Sequence, residues 1–286
     1  LVAATLLHRA IPDQLHCVFV DTGLLRKNEV EEVRQAIGTQ KFKDIHVVDA
    51  RTTFLERLQN IENSEQKRKI IGHTFIHVFE RTIAYDLKKY SVRFLAQGTI
   101  YPDRIESGEA SRNAEKIKSH HNLTLPDRFG FEIIEPLRDF YKDEVRSLGE
   151  ELRLPKKLLW RHPFPGPGLS VRIVGEITNS RLEMVREADA IFIEELQKAK
   201  EYNKIWQAFA VLLPLKTVGV MGDSRTYEHI ISLRAVTSVD GMTADWYRMP
   251  SELLERISNR IVREVKGVNR VVYDITQKPP ATIEYE

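Results

Sequence analysis

Among 286 residues there is one cysteine, Cys17. A lone thiol can form neither an internal disulfide nor a cysteine-based zinc site, so a disulfide scaffold and a zinc ribbon are both excluded. Cys17 lies inside an apolar run and reads as a small buried hydrophobe, and the scarcity of thiols fits a reducing, cytoplasmic compartment. Long apolar runs are missing too. No stretch approaches about 18 uninterrupted apolar residues, which argues against a membrane span. Excess charge of either sign is absent: Lys plus Arg is 43 against 41 for Asp plus Glu, a net of +2. No global field draws the chain to nucleic acid or to an anionic membrane, and local clusters such as Lys67-Arg68-Lys69 have no aromatic platform beside them. There is no repeat and no low-complexity tract. The apolar start, Leu1 to Arg9, lacks the basic head and cleavage site of a signal peptide. It reads as the back half of a helix and does not open on Met, so a preceding segment is expected.

What is present is an ordinary globular balance, 42% hydrophobic and 29% charged, over a length that suits two domains. In the first half, short apolar runs alternate with helical patterns. Strands are expected at Leu15–Val20, Ile45–Val48, Val92–Ala96 and Phe131–Ile134. Helices are expected at Asn28–Ile37, Thr53–Gln59, Ser64 to about Lys89, and Asp143–Leu152. Alternation of this kind implies right-handed crossovers and a parallel sheet with helices on both faces. Ligands of such sheets bind beyond the carboxyl ends of the strands, where Asp21, Asp49, Gln97 and Glu135 stand.

The run His162-Pro163-Phe164-Pro165-Gly166-Pro167-Gly168-Leu169 is the main boundary signal, because proline fixes its own φ and restrains the residue before it. Beyond it, a long amphipathic helix is expected at Asn179–Lys200, with Ser180-x-x-Glu183 as its capping pattern and a stripe of Leu182, Val185, Ala188, Phe192, Leu196 and Ala199. Strands at Ala208–Leu213, Thr217–Met221, His229–Ala235, Val271–Ile275 and Ala281–Tyr285 flank a helix beginning at Pro250. Strands without regular crossovers imply a smaller α+β domain with a largely antiparallel sheet.

Chemistry concentrates in Gln97–Asn122, a long polar stretch that reads either as solvated surface or as a lid. Asp103 and Glu106 are three apart and could share one divalent metal, while Lys116 and Lys118 could meet phosphate. His120-His121 has no third ligand at metal spacing. Met221-Gly222-Asp223-Ser224-Arg225 should turn tightly and present a carboxylate and a guanidinium. The tail Lys278-Pro279-Pro280-Ala281-Thr282-Ile283-Glu284 has the composition of a frayed end, but its prolines favour docking.

Together QGTIYPDRIESG, KIKSHHN, EPLRDFYKDEVRSLG, RHPFPGPGLSVRI, ADAIFIEEL, QAFAVLLP, TVGVMGDSRTYE, MTADW and RVVYDITQKPPATIEYE resemble the GMP synthase family over nearly the whole chain. The resemblance implies an adenine nucleotide alpha-hydrolase-like ATP-pyrophosphatase domain over 1–155 and an α+β dimerisation and XMP-binding domain over 156–286. It implies adenylation of xanthosine monophosphate (XMP) by ATP with Mg²⁺, then displacement of AMP by ammonia to give GMP. Asp103 and Glu106 would hold Mg²⁺–pyrophosphate, and Lys118 would neutralise phosphate charge. Val20, Asp21, Thr22, Gly23 and Leu25, with Gln97 and Gly98, would line the ATP pocket, supported by Lys142, Asp143 and Arg146. Arg68, Gln207, Asp223, Arg225, Lys278, Ile283 and Glu284 would form the XMP site, partly across a homodimer.

The family's SGGVDS phosphate loop is expected just upstream of a stretch like Leu1–Arg9 and is not in the sequence. Its glutaminase domain is not there either, so ammonia would come from a fused domain or a separate subunit. Asn122-Leu-Thr-Leu-Pro126 stands where the family usually has a glycine pair before the proline. Rival readings are another ATP-pyrophosphatase, such as NAD synthetase or argininosuccinate synthetase, and a non-catalytic interaction subunit.

Overall fold

A computed structural model describes residues 1–40, 42–106, 131–239 and 241–286, save the side chains of Asp103, Ile105, Glu106 and Met221. The chain is mixed α/β and divides into two compact units. The first is Leu1–Asp21, Val30–Ala50 and Gly72–Arg161; the second is Thr22–Glu29, Arg51–Ile71 and His162–Glu286.

The first unit holds α1 (Val2–Ala10), β1 (Cys17–Asp21), most of α2 (Glu29–Thr39), β2 (Ile45–Asp49), the latter part of α4 (Ser64–Tyr85), β3 (Phe94–Ala96), α5 (Tyr101–Glu106), β4 (Glu132–Ile134), α6 (Lys142–Glu151) and α7 (Lys156–Leu159). β1 pairs with β2 and β3 with β4, each in parallel, as two separate pairs. The expected strands are present and parallel, but β3 and β4 are less covered than apolar runs imply: Phe94 is 46% exposed and Ile133 51%. An apolar core joins Val2 and Leu6 of α1 to Leu137, Leu148 and Leu152 of the α6 region and to Leu154 and Leu159. α6 begins where the Glu144 carboxylate accepts the Tyr141 N–H at 2.7 Å, which satisfies a donor that the first helical turn leaves over. Among the described residues no helix is long and apolar enough to cross a membrane.

The second unit holds α3 (Arg51–Leu58), the start of α4, α8 (Asn179–Lys198), β5 (Gln207–Met221), β6 (Ser224–Thr237), β7 (Asp245–Trp246), α9 (Ser251–Glu264) and β8 (Val268–Asp274). β6 pairs antiparallel with β5 and β7 and parallel with β8. Two expected strands merge into β5, whose register shifts between Leu212 and Lys216, around Pro214, which has no N–H to give the ladder. Five of the six stripe residues of α8 are buried; Ala199 is instead its C-cap. The N-cap is Thr178, whose Oγ1 accepts the Arg181 N–H at 3.3 Å, two residues before the expected Ser180. α9 buries Leu253, Ile257 and Ile261, with Pro250 as its N-cap rather than its first helical residue.

Gly168–Arg172 forms a buried 3-10 turn, so this end of the stiff boundary run is packed into the second unit. Gly168 has φ +65°, and a Cβ there would stand 2.4 Å from the Leu24 carbonyl oxygen. That carbonyl accepts the Leu169 N–H at 2.7 Å, which is why the backbones approach so closely. Residues 281–285 form no strand; the tail packs as irregular chain, with Ile283 in the core beside Phe209, Val211 and Val236.

Candidate functional site

In the first unit, β1 and β2 end side by side on Asp21 and Asp49. Gln97 continues the β3–β4 ladder, its N–H donating to Ile134 O at 2.9 Å. Gly98 follows, and among the described residues nothing lies within 4 Å of where a Cβ would stand. Val20 is buried at 6% exposure, so its side chain belongs to the core. Asp103 and Glu106 fall on α5, whose helical backbone puts positions three apart on one face. Arg104 on the same helix pairs with Asp139 at 2.8 Å. Lys142 and Asp143 open α6 and are exposed, while the Arg146 guanidinium lies over the Trp160 ring, 4.8 Å from its centroid. Lys116, Lys118, His120 and His121 lie outside the described residues.

In the second unit, Thr22–Leu25 is a turn. Gly23 has φ +74°, and Thr22 Oγ1 accepts the Leu24 N–H at 3.2 Å. The carbonyls of Gly23 and Leu25 accept from Arg186 Nη2 at 2.7 Å and Nε at 3.1 Å, which tethers the turn to α8.

The C-terminal tail gathers several of the expected substrate residues. Glu284 Oε1 accepts from Gln207 Nε2 at 2.7 Å, and Gln207 sits at the start of β5. Arg68, on the first turns of α4, donates to the main-chain oxygen of Glu286. Ile283 is buried, and Lys278 Nζ donates to Gly241 O at 2.8 Å. Asp223 and Arg225 are not in this group. They stand exposed at the tip of the β5–β6 hairpin, beside Gly222, whose φ of +59° permits a two-residue loop between strands. β6 covers the same length from Arg225 to Val236, the partner of Gln207, so that tip stands up to about 36 Å from Gln207.

Four charged residues complete the cluster. Arg172, wholly buried, grips Glu284 through Nε and Nη2 at 3.3 and 3.2 Å and reaches Asp189 at 3.5 Å. Its guanidinium packs against the Phe209 ring at 4.3 Å, a face that favours a cation. Lys67, also wholly buried, pairs with Glu286 and donates to Ile173 O at 2.7 Å. Burial pushes the Lys67 ammonium pKa down, and Glu286 offsets part of that cost. Gly175 N–H also reaches Glu286, at 3.2 Å. Two members of the basic trio 67–69 thus turn to Glu286.

Helical spacing signals two of these four. Lys67 falls three and four residues before Ile70 and Ile71, and Asp189 falls four after Val185 and three before Phe192, so each lies on its helix's apolar face. A charge on such a face needs a buried partner. Nothing local marks Arg172 or Glu286.

In the second unit the last residues fold back onto a β-sheet and are held by buried guanidinium–carboxylate pairs, and residues 194–285 match the family model described as the GMP synthase C terminal domain. Over its whole length the chain is similar to proteins named GMP synthase. Over 286 residues, all of this chain, it is 61% identical to "GMP synthase [glutamine-hydrolyzing]" of Carboxydothermus hydrogenoformans, covering 55% of that protein. It is 58% identical to the protein of the same name in Thermotoga maritima, covering 56% of it. With Oleidesulfovibrio alaskensis the figures are 57% and 55%. The chain thus spans about half the length of the curated relatives it matches.

Proposed function

We propose that the chain is the synthetase part of a cytoplasmic, homodimeric ligase that aminates XMP to GMP at the expense of ATP. In this reading residues 1–155 are an ATP-pyrophosphatase domain built on a parallel sheet with helices on both faces, and 156–286 form the dimerisation and XMP-binding domain. Ammonia comes from a glutamine amidotransferase domain or subunit. The observation that carries the reading is the gathering of Arg68, Gln207 and Glu284, remote in sequence, around the docked chain terminus in the second unit.

The C2 oxygen of XMP attacks the α-phosphorus of ATP. An O–P bond forms, the bond to the β-phosphate oxygen breaks, and pyrophosphate leaves. Ammonia then adds at C2 and loses a proton as AMP departs with the former carbonyl oxygen. Adenylation is needed because a ring carbonyl oxygen is a poor leaving group. Such a transfer asks the protein mainly for positioning and charge neutralisation. Lys118 supplies a cation to the phosphates. Asp103 and Glu106, at helical spacing three on α5, suit one Mg²⁺, which favours one or two carboxylates plus substrate phosphates and would neutralise charge on the departing pyrophosphate. The resemblance assigns ATP binding to Val20, Asp21, Thr22, Gly23, Leu25, Gln97 and Gly98. Lys142, Asp143 and Arg146 support the ATP side.

Asp223 and Arg225 are too far from Gln207 to share a site within one chain, so they would complete the site of the partner subunit, each dimer holding two composite XMP sites. The test is pyrophosphate release by the full-length protein, upstream phosphate loop included, with ATP, Mg²⁺, ammonium and XMP, run beside the substrates of NAD synthetase and argininosuccinate synthetase. Release that depends on XMP, with GMP as product, is expected. Release with another substrate in place of XMP would overturn the reading.

A further inference from the structure

The first unit carries a second constellation, at the opposite ends of β1 and β2 from Asp21 and Asp49. His16 immediately precedes β1, Asp44 immediately precedes β2, and His46 is the second residue of β2. The strands are parallel, with Cys17 opposite Ile45 and Val18 opposite His46. Side chains alternate along a strand, so Asp44 and His46 share a face, and the register brings His16 beside Asp44 on it. Cys17, one residue on, belongs to the other face.

The side chains converge as the register requires. His16 Nδ1 lies 2.8 Å from Asp44 Oδ2, His46 Nε2 lies 3.1 Å from Asp44 Oδ1, and one ligand atom from each of the three falls within 4.8 Å of the others. Their side chains keep only 15%, 23% and 32% of their exposure, in the order His16, His46, Asp44. Both nitrogens are buried, and despite these short distances neither is aligned for a hydrogen bond. The His16 ring is fixed from behind by Tyr90, with centroids 4.0 Å apart. The Lys89 ammonium stands over that Tyr90 ring, 4.8 Å from its centroid.

Two imidazole nitrogens therefore crowd one carboxylate at ion-pair distance without hydrogen-bond alignment, a poor return for the desolvation of all three groups. A divalent ion would supply a better one. We propose that His16, Asp44 and His46 form a structural site for zinc or a similar borderline divalent transition ion, which clamps the starts of β1 and β2 and holds their register. Two imidazoles and one carboxylate are a common donor set for such ions. Bonds of about 2.0–2.2 Å to a tetrahedral ion place neighbouring ligand atoms roughly 3.3 Å apart, so the side chains need only small adjustments. The fourth position would fall to water. The site is about 15 Å, the length of the two strands, from Asp21 and Asp49, so it is separate from the proposed ATP pocket.

The test uses the whole chain, with Zn²⁺ and Co²⁺ as probes. Equilibrium dialysis with metal analysis should find a Zn²⁺ site that His16→Ala or His46→Ala weakens at least about tenfold. Cys17→Ser should leave it unchanged. Asp44→Asn keeps the side-chain shape and guards against misfolding of the histidine variants. In the parent chain Co²⁺ should give the ligand-field spectrum of nitrogen and oxygen donors, and Zn²⁺ should raise the thermal midpoint; both effects should vanish in Asp44→Asn. Zn²⁺ binding of equal strength in the His16→Ala/His46→Ala double variant would overturn the proposal, as it would place the metal on other histidines. So would a folded parent chain that takes up no Zn²⁺, leaving the three groups as an ion-pair cluster.

Discussion

Arg172 holds Glu284 side-on, Nε to Oε2 at 3.3 Å and Nη2 to Oε1 at 3.2 Å, and so fastens the last residues of the chain to a wholly buried guanidinium. The planar fork matches the carboxylate, Asp189 takes a third nitrogen at 3.5 Å, and the Phe164 and Phe209 rings pack against the cation at 5.1 and 4.3 Å. Water is replaced by two carboxylates and two aromatic faces. The tail is therefore part of the domain's interior chemistry and not an appendage.

Removing that guanidinium leaves two carboxylates without their buried counter-charge. Arg172→Ala should lower unfolding stability by about 3–5 kcal/mol, read from urea denaturation at fixed protein concentration. Glu284→Gln, which keeps the shape, should cost less. A loss below about 1 kcal/mol for Arg172→Ala would mean that the pair is not structural.

His162 should make stability pH-dependent. Ala208 N–H donates to its Nδ1 at 3.2 Å, so Nε2 carries the proton and donates to Tyr202 O at 2.9 Å. Burial is the main cause that pushes its pKa down to about 4. The unfolded value is about 6.5, so between the two the unfolded chain binds the proton and the native chain does not. The contribution is complete above about pH 6.5 and is lost as pH falls towards about 4, for a total of about 3 kcal/mol. His162→Gln should flatten this slope in urea titrations taken from about pH 7 to about pH 4.5. An unchanged slope would assign the acid sensitivity to other groups.

If the XMP site is shared between subunits, inactive variants should rescue one another. Arg225→Ala changes the hairpin tip and Lys278→Ala changes the far end of the sheet, so a mixed dimer carries one site with both changes and one intact site. Random mixing should restore about a quarter of parental activity, since half the dimers are mixed and each has one good site. Activity no greater than that of the two single variants would put all these residues in one chain's site, or in none.

In the full-length protein Lys118→Ala should abolish XMP-dependent pyrophosphate release while leaving the proposed dimer and XMP binding largely intact. The first is read by a coupled phosphate assay, the others by sedimentation and calorimetry. Parental release from this variant would remove Lys118 from the adenylation step.

Much of the fold was legible because its signals are local. Helical periodicity placed α4, α8 and α9 to within a few residues, and Gly222-Asp223 between β-rich runs announced a hairpin. Strand cover was less legible. The apolar runs at β3 and β4 read as buried, yet Phe94 and Ile133 are largely exposed, because cover depends on what packs above a strand and not on the strand. The proline run read as a boundary from its composition; that Gly168–Arg172 is buried was not legible, because Leu24, far off in sequence, accepts the Leu169 N–H.

For the site, the sequence by itself determined which residues resemble a nucleotide-handling set: Asp103, Glu106 and Lys118 in one long polar stretch, Asp223 and Arg225 in a turn, Lys278 to Glu284 at the tail. Only the tertiary structure decided their company. It put Gln207 and Glu284 together and left Asp223 and Arg225 at the other end of a fifteen-residue strand. It also paired His16 with Asp44 and His46 across a parallel register that no short-range pattern encodes. The reason is common to both cases. A residue's type and spacing are local properties, but a buried charge finds its partner through packing between segments distant in the chain.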